Sequence, residues 1–148
     1  MNTRHSTNQR VYLADSQNFE DFEWEPAHAY ASAVNCLDAS RLASWLHEGT
    51  LYQSRHVLLP LIGAAAILDY LISKWVTIAQ AGAANEVTAE MAYMHSTYVG
   101  RPTVILRQNG ARVALVLFKT SKGRIDRIDI CGILPRVDEA TGTGKYPR

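Results

Sequence analysis

Tyr52, Ser54 and His56 recur at every second position of a segment rich in β-branched and aromatic residues. On a strand, that spacing puts the three side chains on one face. A serine hydroxyl beside an imidazole is the pairing that nucleophilic catalysis uses. Here the spacing is wide for a direct hydrogen bond, no third residue is placed to orient the ring, and no nucleophile-elbow glycine pattern surrounds Ser54. The plainer reading is polar decoration at a pocket rim. His95 is the second candidate, on a strand whose alternate positions are Met91 and Tyr93. If that face lines a pocket, a buried imidazole there serves as an acid or base near neutral pH. If not, His95 is a partly exposed sheet or interface residue.

The other histidines, His5, His28 and His47, complete no metal site, because no two of the five histidines sit one helical turn apart. Three or four ligands are needed to hold a metal, and none is expected. No cofactor motif stands out either. Thr141 to Lys145 echoes a phosphate loop, but Glu139 takes the place of the first glycine and Tyr146 that of the Ser or Thr. Two cysteines, Cys36 and Cys131, are too few and too far apart for a disulfide framework; reduced thiols in a cytoplasmic protein are expected.

The 148 residues carry a formal net charge of +1, which gives no general grip on nucleic acid. Five basic and ten acidic residues precede position 100; ten basic and four acidic residues follow from there. The basic residues alternate with apolar strand positions instead of forming a stripe. Residues 1–10 are polar with no apolar run, so a signal peptide is not expected. The most apolar run, Val57 to Ala79, contains Pro60, Gly63, Asp69 and Lys74 and is one-sided, so no membrane span is expected.

These groups need elements to position them. Residues 1–18 read as a flexible polar arm, followed by an acidic aromatic segment, Phe19 to Glu25. A helix follows Pro26, with Tyr30, Val34 and Leu37 at helical spacing. Asp38 ends it and caps a second, short helix carrying Leu42, Trp45 and Leu46, which stops near Gly49. Thr50 to Leu59 reads as extended, closed by Pro60 and Gly63. Ala64, Ile67, Leu68, Leu71, Ile72, Trp75 and Ile78 then form one continuous stripe, predicting a long amphipathic helix that ends near Gly82. Beyond Val87 the period changes to two, predicting strands near 87–97, 103–108, 111–119 and 124–131. Asn109-Gly110 and Ser121-Lys122-Gly123 turn them into antiparallel hairpins. Residues 136–148 are expected to form a fraying tail around a single domain at 19–135. Helices segregated from a curved antiparallel sheet define an α+β class.

The block from Tyr30 to Asp38, the short helix at Leu42–Leu46, and Pro60-Leu-Ile-Gly63 with Ile67 beyond it resemble the nuclear transport factor 2-like superfamily. That group includes ketosteroid-isomerase-like, polyketide-cyclase-like and SnoaL-like proteins. The resemblance implies a cone-shaped α+β domain, a curved sheet wrapped around about three helices, with a pocket inside and dimerisation through the outer sheet face. Tyr30 matches the tyrosine that donates to an oxyanion in the isomerases. Their general-base aspartate falls at Ser54, whose hydroxyl cannot take up a proton near neutral pH, and their second acid falls near Leu115 or Val116. The isomerase carboxylates are absent.

The resemblance therefore implies an apolar pocket walled by Tyr30, Trp45, Tyr52, Trp75 and Tyr93, with Ser54, His56 and His95 as polar contacts, binding a small apolar or amphipathic molecule. The first alternative is a lyase, isomerase or cyclase using His95 or His56 as acid–base with Tyr30 as donor. The second is a protein-interaction module built on Phe19–Glu25. Arg127 and Asp129, on one face of the last strand, are expected to pair across a two-fold interface.

Overall fold

The computed structural model describes residues 24–148. The arm at 1–18 and most of Phe19–Glu25 lie outside them.

Residues 24–36 form helix α1. Leu37 then adopts a positive φ of 50°, and Asp38 N–H returns to the Ala33 carbonyl at 2.9 Å, which closes the helix. The Asp38 carboxylate accepts from the backbone N–H of Ser40 at 3.1 Å and its hydroxyl at 2.6 Å, opening the short helix α2 (Ser40–Ala43). Strands β1 (Leu51–Ser54) and β2 (Leu61–Ile62) form a small antiparallel pair. The extended run expected from 50 to 59 is thus cut short, because the chain turns away at Arg55.

Gly63 sits at φ 95°, donates to the Thr50 carbonyl at 2.8 Å, and has the Glu48 carbonyl 3.1 Å from where a Cβ would stand. Only glycine meets both demands. Helix α3 (Ala64–Ala81) follows and buries Ile67, Leu71 and Trp75. Ile72, placed in the apolar stripe by spacing, is exposed, because the helix covers the sheet with a narrower face.

Four long strands complete the body: β3 (Val87–Met94), β4 (Pro102–Gln108), β5 (Ala111–Ser121) and β6 (Arg124–Cys131). Positive φ at Asn109 and Gly110, and at Lys122 and Gly123, makes the two tight turns. Strand order is β2-β1-β6-β5-β4-β3-β7. The sheet is mixed, not purely antiparallel: β1 runs parallel to β6, with Tyr52 opposite Ile128 and Ser54 opposite Ile130. Register shifts at Leu106/Arg107 and Lys119/Thr120 bend the long hairpins, which is how a sheet curves into a cone.

The tail corrects the expectation of fraying. β7 (Ala140–Gly142) pairs antiparallel with β3 as the last strand of the sheet. Beyond it, Thr143 N–H and Oγ1 both donate to the Met91 carbonyl, and Asn35 Nδ2 donates to the Pro147 carbonyl at 2.7 Å. Glu90, 5 % exposed, accepts from Arg107 at 2.9 Å and from the Gly144 amide at 2.8 Å. The domain therefore extends through the tail.

The main core lies on the concave side of the sheet, where Met91, Val104, Val116, Phe118 and Ile128 meet α1, α2 and α3. The fold is an α+β cone, and among the described residues no helix is long and apolar enough to cross a membrane.

Candidate functional site

A cavity of about 640 Å³ opens between α1, α3 and the concave face of the sheet. That volume falls within the roughly 300–1,000 Å³ of small-molecule sites. Tyr30 and Val34 of α1 form one wall, and Leu71, Trp75 and Ile78 of α3 a second. Tyr52, Ser54, Leu106, Ala114 and Ile130 come from the sheet. Alternation along β1 turns Tyr52 and Ser54 inward, and the parallel register with β6 sets Ile130 beside Ser54.

Tyr30 is 3 % exposed and Tyr52 1 %. The Tyr30 ring meets Phe118 edge-on, with centroids 5.5 Å apart and planes at 65°. Tyr52 packs against Tyr70 at 5.6 Å. Burial, followed by the neighbouring phenol of Tyr70, pushes the Tyr30 hydroxyl well above its ordinary pKa. Burial again, then Tyr30 and Tyr70, does the same more strongly for Tyr52. The three phenols therefore feel one another, and all stay protonated at neutral pH. Among the described residues, neither the Tyr30 nor the Tyr52 hydroxyl makes a hydrogen bond. Buried hydroxyls ordinarily have a partner.

Ser54 Oγ accepts from the backbone N–H of His56 at 3.2 Å. The serine thus caps the turn after β1 and does not address the imidazole. His56 is exposed at the cavity rim. Burial, then Lys74 and then Arg55, draws its pKa below the ordinary histidine value, so the neutral ring is favoured. Lys74 also borders the cavity, with Nζ 5.7 Å from the Tyr70 centroid, and partial burial lowers its pKa.

Five of the eight residues expected from the sequence thus meet at the cavity: Tyr30, Tyr52, Ser54, His56 and Trp75. Three do not line it. Trp45 packs into the core beside α2, and its carbonyl accepts the Ile125 amide at 2.7 Å. Tyr93 stacks on Trp24 at 5.0 Å, with planes 8° apart. His95 lies just past the end of β3, where alternation no longer sets direction; its Nδ1 is 2.8 Å from Thr141 Oγ1 at an exposed position. Arg127 and Asp129 pair within one strand, at 2.8 Å, so neither needs a two-fold partner.

Arg55, Tyr70, Lys74, Asn85 and Gln108 also border the cavity and were not singled out from the sequence. Tyr70 and Lys74 sit one helical turn apart on α3, which is the one signal that places them together. His47 carries a separate polar link: Nδ1 accepts from the Gly49 amide at 3.0 Å, leaving Nε2 as the donor to Asp126 at 2.9 Å. That bond ties the loop after α2 to β6. Among the described residues, no cluster of His, Cys, Asp and Glu could hold a metal.

The cone with its helices on the concave face is a cystatin-like α+β fold that this chain shares with several solved structures. An uncharacterized protein with a cystatin-like fold from Caulobacter vibrioides aligns with a TM-score of 0.56 and 15% identity, over 80% of this chain and 92% of that one. The epoxide hydrolase/cyclase-like enzyme SalBIII, described for its role in pyran ring formation in the polyether salinomycin, aligns with a TM-score of 0.53 and 19% identity, over 86% and 98%. A cystatin-fold protein from Novosphingobium aromaticivorans aligns at 0.50 and 13%, over 72% and 94%. At such identities the likeness concerns the fold alone. No protein-family model matches the sequence, and no curated protein does.

Proposed function

We propose that the protein binds a small, largely apolar molecule inside the cone. The observation that carries this reading is an open cavity of about 640 Å³ walled by Tyr30, Tyr52 and Trp75, in which the buried hydroxyls of Tyr30 and Tyr52 have no described hydrogen-bond partner. A core that needed only to be stable would be filled, since packed interiors leave few voids larger than a water molecule. The test is a fluorescence titration with phenylnaphthylamine, a neutral apolar dye. Wild type binds it at one site. Ala114→Trp, which fills the cavity, and Thr77→Trp, which obstructs an exposed part of its rim, both weaken binding while the fold persists by circular dichroism. Equal binding by all three proteins would refute the reading.

A second reading is an enzyme of the lyase, isomerase or cyclase class. It is favoured by Tyr30, a protonated donor without a described partner, and by His56 at the rim of the same cavity with its neutral form favoured. Tyr30 would donate to a developing oxyanion and His56 would move the proton. His95 takes no part, since it does not line the cavity. Solvent-deuterium exchange at the α-carbon of cyclohexanone, followed by NMR, tests for proton abstraction. Exchange that survives both Tyr30→Phe and His56→Gln would remove these residues from the chemistry. A homodimer through the outer sheet face belongs to the same reading, and sedimentation equilibrium decides between one copy and two.

A further inference from the structure

Among the described residues, the cavity is bordered by basic side chains and no acid. Arg55, His56 and Lys74 all border it, and no described Asp or Glu does. Lys74 and Arg55 each act on the ionisation of His56, so the three groups lie within electrostatic reach of one another. Like charges brought together repel, and the partial burial of Lys74 removes the water that would screen it. Proteins ordinarily relieve such a cluster with a carboxylate, as Glu90 relieves Arg107 and Asp129 relieves Arg127 elsewhere in this chain. Among the described residues, no carboxylate pairs with Lys74 or Arg55. Close by, the buried hydroxyls of Tyr30 and Tyr52 are donors with no described acceptor. Every one of these groups offers a proton or a positive charge.

The segments that follow β1 and β6 add exposed apolar side chains. β1 and β6 run parallel with Ser54 opposite Ile130, so the segments that follow them leave from the same end of the sheet. A Cβ placed on Gly132 would stand 3.7 Å from the Arg55 guanidinium, so the two segments come together at the rim. They present Leu58, Leu59, Ile133 and Leu134, exposed at 102%, 77%, 69% and 75%. Beyond the cations, the wall is Leu71, Trp75 and Ile130.

We propose that the ligand is an amphipathic organic anion, with its carboxylate or equivalent oxyanion seated on Lys74 and Arg55 and its apolar body along Leu71, Trp75 and Ile130. This rests on the reading that the cavity binds a small molecule, and it specifies the charge of that molecule.

The test compares two dyes with the same ring system. Anilinonaphthalene sulfonate carries an anionic group, and phenylnaphthylamine does not. Removing the charge with Lys74→Gln should weaken sulfonate binding by about ten-fold, the scale of a lost hydrogen bond to a charged group, and change phenylnaphthylamine binding by less than about two-fold. Lys74→Arg should retain sulfonate binding, and Ala114→Trp should abolish both. Raising the salt concentration should weaken the sulfonate complex alone. If Lys74→Gln affects both dyes equally or neither, the anion site is wrong while the apolar cavity stands. If neither dye binds wild type, the cavity reading and the anion site fall together.

Discussion

Tyr30→Phe should make the protein more stable. The ring of Tyr30 is 97% buried and keeps its edge-on contact with Phe118 when only the hydroxyl is removed. The hydroxyl makes no described hydrogen bond, so its removal gives up no partner. A buried hydroxyl without compensation costs about 1–3 kcal/mol in proteins. The adjoining cavity admits water to part of the site, which offsets some of this cost and puts the gain at about 1 kcal/mol. For a domain of this size, such a gain raises Tm by about 3–6 °C. Thermal and urea denaturation monitored by circular dichroism measure it directly. The same variant should bind an anionic dye more weakly, because the donor is lost. Destabilisation by about 1 kcal/mol or more would refute the reasoning. It would show that the hydroxyl already holds a structural partner and is not reserved for a ligand.

Two further outcomes follow from the ionisable groups. Tyr30 and Tyr52 are raised in the folded state, so above about pH 10 the unfolded chain loses phenolic protons that the folded chain keeps. Their contribution is complete below the unfolded pKa and is lost as pH rises, so stability should fall in alkali. Phenolate absorbance from these two rings should then appear together with unfolding; its appearance in the folded protein would contradict their burial. Glu90 shows the opposite sign. Burial raises its pKa, but hydrogen bonds from Arg107 and the Gly144 amide outweigh burial and leave it below the ordinary carboxylate value. Its contribution is present above the unfolded pKa and is lost as pH falls through the folded one. Amide protection in β7, taken relative to the intrinsic exchange rate at each pH, should therefore fall on acidification, and Glu90→Gln should reproduce the effect at neutral pH. Gly142→Ala would bring a Cβ within 2.3 Å of the Glu90 carboxylate, and should release the tail as well, without altering dye binding in the cavity.

The turns and α3 were legible because their determinants are local. Asn109-Gly110 and Lys122-Gly123 need positive φ, and the burial of Ile67, Leu71 and Trp75 follows from helical spacing. β7 was not legible. Ala140-Thr-Gly142 has no apolar alternation, and its pairing is made by backbone groups at the edge of β3. The cavity was half legible. Tyr52 and Ser54 follow from strand alternation, but nothing in the sequence pattern singles out Lys74 and Arg55, which tertiary packing brings to the cavity. His95 and Tyr93 failed for a related reason: β3 ends at Met94, and Tyr93 is taken up by Trp24. Direction beyond a strand end depends on tertiary contacts that periodicity does not carry.

The central claim is that the cone interior is a binding site. Amide-resolved NMR during a phenylnaphthylamine titration tests it most directly. The account predicts shifts concentrated at Val34, Ser54, Leu71 and Ile130, which surround the cavity on α1, β1, α3 and β6. Shifts confined to the outer face, at Ile105, Leu115 and Leu117, with the cavity amides unmoved, would contradict it.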